Sequence, residues 1–385
     1  MAAKIAIYTS PPEVLVEVLG YSHALVSLPL VRRLRFAAGF PGGISEHARI
    51  LWCSPIRLEE YLSTCSAHGD GVETKLRTEE DAKKDNRGLR VDGCRNGKVP
   101  PFAAAYLDFS RGPETELWIY SSMEGRLNGT PSAQNETNIR GKGRQGMSHE
   151  GDDDRELGRE REEVACAVAL LREVKCQQDL YFVPGTTRAN EREFPTVLVG
   201  NLNEVLRTRL VAPDVGIDLV STGLYDKWIF EIDKLPDIGL TDDFGAGEGR
   251  RWVWDVVRRE DIAFTISRTK IPRKEYMMGR QLLGLFSVRT TFSKWGWKIN
   301  AEYLGPDSSL SSLHCEEPYR GRGIAKAVAV KLLRDHLGDY GAYIGWADVA
   351  PDNVQSQGVC RSLNGKPLWQ ISWSRLNLNR SFPEG

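Results

Sequence analysis

Apolar and polar positions alternate along some stretches of the chain and recur every three to four residues along others, which predicts a succession of strands and helices. Strands are expected at residues 48–53, 102–109, 116–122, 194–199, 227–232, 252–257, 285–291, 298–304, 308–315, 342–349 and 368–378. Helices are expected at 12–35 with a break at Pro29, and at 162–175, 201–210, 258–268, 324–336 and 354–363. This order predicts an α/β fold in which helices flank a mixed central sheet.

The order of predicted elements occurs twice along the chain. Strands around 105–107 and 302–304 are each followed by a further strand and then by a helix rich in alanine and valine. We therefore expect two tandem halves, residues 1–245 and 246–385. Chance recurrence of α/β patterns is the alternative.

Two segments of the first half, near 64–101 and 128–159, are polar and rich in glycine. They contain too few apolar residues to bury a core, so they are expected to be insertions rather than helices or strands. Within the first predicted helix, Arg32, Arg33 and Arg35 are expected to lie on a solvated basic face.

Composition limits the classes of partner. The 385-residue chain has a formal net charge of −1, so nucleic acid is not expected as a partner. Seven cysteines without a Cys-x-x-Cys pair predict free thiols in a reducing, cytoplasmic compartment. No apolar run is typical of a signal peptide or a membrane span, and neither a membrane nor a metal is expected as a partner.

A glycine turn between the strand 308–315 and the helix 324–336 carries the clearest chemistry. Glycines at a helix start let several main-chain N–H groups face one anion, and the helix dipole favours a phosphate there. Arg320, Arg322 and Lys326 add three cations within seven residues. A plain helix start is the alternative, and the cations favour a phosphate site.

The turn contains a motif of known type. Arg320-x-x-Gly323-x-Ala325 resembles the pyrophosphate loop of the acyl-CoA-dependent GNAT N-acetyltransferase superfamily. The resemblance implies acetyl-CoA, or another acyl-CoA, as co-substrate. The residues that it places at the co-substrate are Leu313, Cys315, Arg320, Gly321, Arg322, Gly323, Ile324, Ala325, Lys326 and Asn353.

A second motif follows in the order typical of the same superfamily. Asn353-x-x-Ser356 and the helix end at 359–363 resemble its second signature, and the run 310–365 is most similar to the glycine N-acyltransferase-like branch. The resemblance covers about the last third of the chain. It implies a GNAT-type mixed central sheet flanked by helices in two tandem GNAT-like halves. The first half would be a degenerate copy that shapes the acceptor side.

The resemblance also implies an activity. The protein would move an acetyl or other acyl group from acetyl-CoA to the amine of a small molecule or an amino acid, by direct attack in a ternary complex. A non-catalytic acyl-CoA-binding or interaction protein on the same fold is the alternative, favoured by a cysteine where many relatives have a tyrosine. Release of free CoA in the presence of amines distinguishes the two.

Proton transfer has three candidate residues. Similar enzymes carry a glutamate just before the loop arginine, and Glu317 or Glu316 would be that base; a solvated pair of carboxylates is the alternative. Cys360 stands where relatives have the tyrosine acid, and its thiol would protonate the leaving thiolate or serve as a small apolar residue. His314 is expected to be packed or on the surface. The oxyanion would be held by a main-chain N–H of the strand 310–315.

Overall fold

The computed structural model of the protein describes residues 3–22, 25–67, 100–112, 114–127, 150–190, 195–238, 252–256, 262–267, 286–290, 298–340 and 343–383. Within these residues the strands are β1 (Lys4–Tyr8), β2 (Arg49–Ser54), β3 (Ala103–Leu107), β4 (Leu117–Ser121), β5 (Val197–Asn203), β6 (Leu219–Glu231), β7 (Trp252–Val256), β8 (Phe286–Thr290), β9 (Lys298–Leu304), β10 (Leu310–Cys315), β11 (Ile344–Val349) and β12 (Lys366–Leu376). The helices are α1 (Glu13–Ser22), α2 (Leu28–Gly39), α3 (Leu58–Ala67), α4 (Ser122–Leu127), α5 (Glu150–Tyr181), α6 (Thr187–Asn190), α7 (Glu204–Leu210), α8 (Ile262–Ser267), α9 (Ile324–His336), α10 (Val354–Ser362) and α11 (Leu378–Ser381).

The strand order repeats once along the chain. β1 to β4 lie side by side in chain order, each antiparallel to the next, and β7 to β10 do the same. In each half the fifth strand is parallel to the fourth: β5 pairs with β4, and Trp346 of β11 forms a parallel bridge with Ser309, just before β10. The predicted GNAT-type mixed sheet flanked by helices, in two tandem halves, is confirmed.

The two halves exchange their last strands. The larger sheet has the order β1-β2-β3-β4-β5-β12-β6-β11, so β12 lies between β5 and β6, and β6 lies between β12 and β11. β6 has 13 residues and pairs antiparallel with both neighbours. Because buried main-chain groups need hydrogen-bond partners, these ladders hold the two halves together. The predicted boundary between residues 245 and 246 lies outside the described residues and stays a prediction.

Helices cover both faces of the larger sheet. α5 packs on one face, and α1, α2 and α3 pack on the other. β3 illustrates the consequence, since Ala105 and Leu107 belong to the α5 cluster while Ala104 and Tyr106 belong to the opposite one. All β3 side chains are buried, which is why this strand is apolar throughout rather than alternating. Phe36 of α2 also packs with α9 and β11, so α2 contacts the cores of both halves.

The predicted insertion at 128–159 is wrong at its C-terminal end. α5 begins at Glu150, and its first turns are too polar for apolar periodicity to reveal them. Glu160 Oε1 lies 2.6 Å from Nε of Arg209 in α7, so an ion pair links this part of α5 to its neighbour. Residues 128–149 lie outside the described part of the chain.

Two other predicted boundaries differ from the structure. The insertion predicted at 64–101 begins too early, because α3 continues to Ala67; most of that segment lies outside the described residues. The helix predicted from Asn201 also begins too early, because β5 continues through Asn203. The Asn203 side chain then caps α7 by accepting a 3.0 Å hydrogen bond from a main-chain N–H.

Candidate functional site

The glycine turn after β10 has a left-handed backbone. A short 3₁₀ helix covers Glu317–Tyr319, and Gly321 and Gly323 follow with φ angles of +75° and +77°. This conformation costs an L side chain roughly 1–2 kcal/mol, so the path of the backbone favours glycine at both positions. A Cβ at either glycine would meet no described heavy atom within 4 Å beyond its chain neighbours, so the space in front of the turn is open.

Helix α9 starts at this turn without a side-chain cap. Its N-cap residue is Gly323, and the N–H of Ala327 donates to the Gly323 carbonyl at 2.9 Å. The first N–H groups of the helix have no intrahelical acceptor, and the dipole attracts anions to them. Arg320 and Arg322 are exposed beside these donors, and Lys326 is half-buried. The arrangement suits a phosphate group.

The turn is attached to the end of β10 by hydrogen bonds. Arg320 Nε donates to the Cys315 carbonyl at 3.0 Å, and the Arg320 N–H donates to the Glu317 carbonyl at 3.2 Å. Burial raises the pKa of the Cys315 thiol, while the Arg320 cation acts in the opposite direction. The thiol is therefore held in its neutral form beside the turn.

An open wedge separates β10 from β11. These strands are the facing edges of the two sheets, and in the described part of the chain the Ser309–Trp346 bridge alone pairs them. The β10–β9 ladder also shifts register between Ser311 and His314. An edge strand leaves main-chain N–H and C=O groups free to bind an extended ligand. At about 3.3 Å per residue, the path from Cys315 back to Ser311 is on the order of 13 Å.

The two candidate bases have different surroundings. Glu316 is half-buried, and its Oε1 lies 3.4 Å from His314 Nε2. Glu317 begins the 3₁₀ helix with its side chain exposed. Both residues follow the open edge of β10 directly, and their assignment as base stays a prediction.

The second motif lies on α10. Asn353 caps this helix, since its Oδ1 accepts a 3.0 Å hydrogen bond from the N–H of Ser356, and its side chain is exposed. Cys360 is buried in the apolar cluster that includes Phe230 and Leu333. These surroundings favour the packing role of Cys360 over the role of proton donor, which stays a prediction.

A cleft between the two halves borders the wedge. It has a volume of about 550 Å³ including its open mouth. Ser309 and Ser311 line it at the start of β10, and the rings of Trp118 and Trp373 meet edge to face with centroids 6.2 Å apart. The lining residues come from α2, the β3–β4 and β9–β10 connections and the neighbouring strands: Arg33, Phe36, Arg111, Glu114, Thr115, Trp118, Gly305, Pro306, Asp307, Ser309, Ser311 and Trp373.

The prediction of a solvated basic face on α2 is wrong for Arg33, which is 3% exposed and lines the cleft. Its Nη1 and Nη2 donate to the Gly43 carbonyl at 3.2 and 3.1 Å, and its guanidinium lies 3.8 Å from the centroid of the Tyr106 ring. Arg32 is buried as well, and Arg35 is half-buried. The reason is tertiary, because α2 packs against the cores of both halves.

Arg111, on the same wall, has a counter-charge. Its Nε lies 3.0 Å from Asp108 Oδ2, and its Nη2 donates to the Gly43 carbonyl at 3.3 Å. Burial by itself would lower the pKa of Arg111, but Asp108 and Tyr106 together outweigh it and the pKa is raised. The charge of Arg111 is thus balanced within the protein.

Asp307 faces the cleft from the β9–β10 connection and belongs to a buried polar chain. Its Oδ1 accepts from the Ser309 N–H at 3.2 Å and hydroxyl at 2.6 Å, and its Oδ2 accepts from Asn201 Nδ2 at 3.2 Å. Lys227 donates to Asn201 Oδ1, and its Nζ lies 2.5 Å from Asp348 Oδ1. The chain joins β5, β6 and β11 to the cleft. Sequence reasoning missed all of it, because its members are distant in the chain.

Neither a metal site nor a membrane-spanning helix is found among the residues that the structure describes. Among them, no group of histidine, cysteine and acidic side chains could hold a metal ion. No helix within the described ranges is long and apolar enough to cross a membrane. The described cysteines that remain free thiols are Cys53, Cys166, Cys176, Cys315 and Cys360.

Comparison of the whole structure with solved structures places the fold among known ones. A Drosophila protein superimposes with a TM-score of 0.54 at 11% identity, and the match covers 98% of this chain and 100% of that one. A tandem GNAT protein from the clavulanic acid biosynthesis pathway matches with a TM-score of 0.45 at 10% identity, and covers 100% of both chains. At these identities the likeness concerns the fold alone.

Comparison of the sequence points to a family. No curated protein sequence matches the chain significantly. Residues 2–228 match the family described as the acyl-CoA N-acyltransferase verG N-terminal domain. This match spans more than half of the chain and includes α2 and Lys227 of β6. The protein therefore belongs to the acyl-CoA N-acyltransferase verG N-terminal domain family.

Proposed function

We propose that the protein transfers an acetyl or other acyl group from acetyl-CoA to the amine of a small molecule or amino acid, by direct attack in a ternary complex. One observation carries the proposal. The left-handed glycines and uncapped start of α9 lie at one end of the open β10 edge, and the cleft lies at the other. A pyrophosphate site and an acceptor site are thereby joined by a strand edge that can bind an extended arm.

The co-substrate would bind along this path. Its pyrophosphate would accept hydrogen bonds from the main-chain N–H groups around Gly321 and Gly323, with Arg320, Arg322 and Lys326 supplying positive charge. The pantetheine arm would follow the open edge of β10 through the wedge. The remaining residues proposed along the co-substrate are Leu313, Cys315, Ile324, Ala325 and Asn353. The thioester would then reach the cleft near the start of β10.

The reaction needs a neutral amine beside the thioester. The amine nitrogen attacks the carbonyl carbon, a C–N bond forms, and a main-chain N–H of β10 stabilises the oxyanion. The C–S bond then breaks, and the amine proton passes through bridging water to Glu317 or Glu316, which lie beyond the far end of β10. The departing thiolate takes up a proton from Cys360 or from solvent. The products are an amide and free CoA.

A second candidate function is acyl-CoA binding without catalysis. The observation that favours it is the burial of Cys360 in an apolar cluster, where a tyrosine acid is expected in relatives. This candidate predicts CoA binding but no release of thiol with any amine. Three further proposals rest on the sequence. The protein would belong to the glycine N-acyltransferase-like branch, and it would be cytoplasmic. Its halves would divide between residues 245 and 246, with the first half shaping the acceptor side.

The test combines one variant with a control of the same kind. Gly323→Val places a β-branched side chain where the phosphate would approach, and we expect CoA affinity to fall at least tenfold. Gly216→Val is the matched control, because Gly216 has a φ of +70° and equally open surroundings but lies after α7. Both variants should lose roughly 1–2 kcal/mol of stability from backbone strain, but Gly216→Val should retain its CoA affinity.

CoA affinity is measured by calorimetry, and turnover by chromatography of free CoA released from acetyl-CoA with a panel of amines. Unchanged CoA affinity in a folded Gly323→Val protein would contradict the proposed site. Binding of CoA without release by any amine would favour the non-catalytic candidate.

A further inference from the structure

We propose that the Ser311 hydroxyl binds the reacting nitrogen of the acceptor, and that Asp307 and Ser309 position this hydroxyl. The proposal rests on the proposed function, because it concerns the amine that attacks the thioester. It comes from a chain of three side-chain oxygens that begins at the buried Asp307 carboxylate and ends at the wall of the cleft.

The three oxygens are joined by hydrogen bonds. The Ser309 hydroxyl lies 2.6 Å from Asp307 Oδ1, and the Ser311 hydroxyl lies 3.2 Å from that of Ser309. The two serines are two positions apart, so their side chains lie on the same face of the strand. Asp307 and Ser309 are buried, whereas Ser311 is half-buried and lines the cleft. The chain therefore runs from the protein interior to the cleft.

The partners of Asp307 suit an ionised carboxylate. The Ser309 N–H donates to its Oδ1 at 3.2 Å, and Asn201 Nδ2 donates to its Oδ2 at 3.2 Å. The Asn201 amide is fixed in this orientation because Lys227, which can only donate, is bonded to its Oδ1. Burial lowers the pKa of Arg33, and the charge of Asp307 is among the influences that oppose this shift. Asp307 is thus surrounded by donors and cations.

The carboxylate sets the direction of the whole chain. An ionised carboxylate only accepts hydrogen bonds, and a serine hydroxyl has one hydrogen to donate. The Ser309 hydrogen therefore points to Asp307, and Ser309 can only accept from Ser311. This leaves Ser311 as an acceptor toward the cleft. Among the described residues, Ser309 is the one hydrogen-bond partner of the Ser311 hydroxyl, so a ligand in the cleft can donate to it.

Gly305 leaves the space that this chain occupies. It begins the tight β9–β10 connection, where its carbonyl accepts from the Ser308 N–H and its own N–H donates to the Ser309 carbonyl, each at 2.8 Å. A Cβ at this position would lie 2.7 Å from Asp307 Oδ1, 2.9 Å from the Ser309 hydroxyl and 3.5 Å from the Ser311 hydroxyl. The first two distances are too short for van der Waals contact. The three oxygens thus converge over a residue that has no side chain.

The outward end of the chain lies where the thioester would end. Ser311 is near the start of β10, and Cys315 and the phosphate turn are at the other end of this strand. An amine that donates one N–H to Ser311 keeps its lone pair free to attack the thioester carbonyl. Holding the two reacting groups in this orientation accelerates the step. The hydroxyl thereby orients the nitrogen, and the proton leaves through water.

The test measures release of free CoA from acetyl-CoA with propylamine, benzylamine and glycine, and the amine with the highest kcat/KM is used for the variants. Ser311→Ala removes the acceptor, so kcat/KM for the amine should fall about tenfold or more, with CoA affinity in calorimetry unchanged. Ser311→Thr keeps the hydroxyl on a residue type that strands favour, and should retain most of the activity. Unchanged kcat/KM in Ser311→Ala, or an equal loss in Ser311→Thr, would overturn the proposal.

Ser372→Ala is the matched control. Ser372 and Ser374 form the same kind of pair on β12, with hydroxyl oxygens 3.0 Å apart. Both are buried, and Trp373 between them lines the cleft, so the pair lies on the other face of the strand. Ser372→Ala should therefore keep kcat/KM for the amine. A loss as large as that in Ser311→Ala would show that the effect does not depend on the cleft, and would overturn the proposal.

A double-variant cycle tests whether Asp307 acts through Ser311. Asp307→Asn supplies an amide N–H that can donate to Ser309, which lets the chain reverse and turn the Ser311 hydrogen toward the cleft. We expect kcat/KM for the amine to fall about tenfold, and the double variant with Ser311→Ala to lose no more than Ser311→Ala alone. Additive losses would overturn the positioning role. If Asp307→Asn does not fold, Ser309→Ala takes its place with the same expectation.

The proposed function can fail separately. Acetylation that Ser311→Ala does not change leaves the proposed function intact and overturns the proposal alone. If acetyl-CoA binds but none of the three amines is acetylated, the proposed function is overturned, and calorimetry of the amines with the CoA-bound protein decides the role of Ser311. Binding that Ser311→Ala weakens and Ser372→Ala preserves supports the proposal. Absent binding, or binding that Ser311→Ala does not change, overturns it.

Discussion

Replacing Lys227 by methionine should destabilise the protein by about 3–5 kcal/mol, because the change leaves a buried carboxylate without its cation. The Lys227 side chain has no exposed surface, its Nζ lies 2.5 Å from Asp348 Oδ1, and it also donates to Asn201. The Asp348 side chain is only 11% exposed, so solvent contributes little to replacing the lost ammonium. The free energy of unfolding of a typical protein is about 5–15 kcal/mol, so the expected loss is a large share of it.

The loss should also depend on pH. Burial raises the pKa of Asp348, and the Lys227 cation counteracts that shift. Without Lys227 the pKa of Asp348 rises further, so the folded state holds a proton more tightly than the unfolded chain does. Stability of the variant therefore increases as pH falls through the folded-state pKa of Asp348 toward its unfolded pKa, and it is lost as pH rises through the folded-state pKa. The difference between wild type and variant should be largest above that pKa.

The loss of stability and its pH dependence are measured by urea unfolding at pH 5.5 and pH 8. Tryptophan fluorescence and circular dichroism monitor the unfolding. Lys331→Met is the matched control, since Lys331 and Asp335 form an exposed pair on α9 at 2.6 Å, and we expect a loss below about 0.5 kcal/mol. The double variant Lys227→Met, Asp348→Leu should recover much of the stability, because it removes both charges. A Lys227→Met loss below about 1 kcal/mol, or one that is independent of pH, would refute the reasoning.

Three further predictions concern the site and the polar segment. Glu317→Gln should lower kcat by roughly a hundredfold without changing CoA affinity, with partial recovery at high pH where the amine loses its proton unaided; a loss in Glu316→Gln instead would assign the base to Glu316, and no loss in either would make solvent the acceptor. Deleting residues 128–149 while keeping 150–159 in α5 should leave the melting temperature nearly unchanged, because the deleted composition cannot bury a core; a clear fall in a thermal scan would show that it packs. Asn353→Ala should cost about 1 kcal/mol in urea unfolding through loss of the α10 cap, and unchanged stability would show that the cap is dispensable.

The local elements of the second half could be predicted from the sequence. Apolar periodicity located β10, α9, β11 and α10 within a few residues, because helix and strand periods depend on neighbouring positions. The glycine turn is local as well. Only glycine adopts the positive φ of positions 321 and 323 without strain. The two glycines therefore indicate a left-handed turn before any tertiary contact is known. The order of strands and helices likewise predicted two halves with a mixed sheet.

Only the tertiary structure decided where the polar residues of the acceptor side lie. No local pattern distinguishes the buried Arg33 from the half-buried Arg35, because the groups that bury Arg33, the Gly43 carbonyl and the Tyr106 ring, lie outside the helix. Asp307 stands in a Gly-Pro-Asp-Ser-Ser turn that is typical of any structured loop. Its link to Lys227 exists because β6 and β12 exchange between the halves and bring β5, β6 and β11 beside that turn. Strand exchange pairs residues far apart in the chain, and such pairing leaves no periodic signal in either strand. The sequence by itself therefore determined the phosphate turn and the elements around it, whereas the cleft and its charges depend on contacts between the two halves.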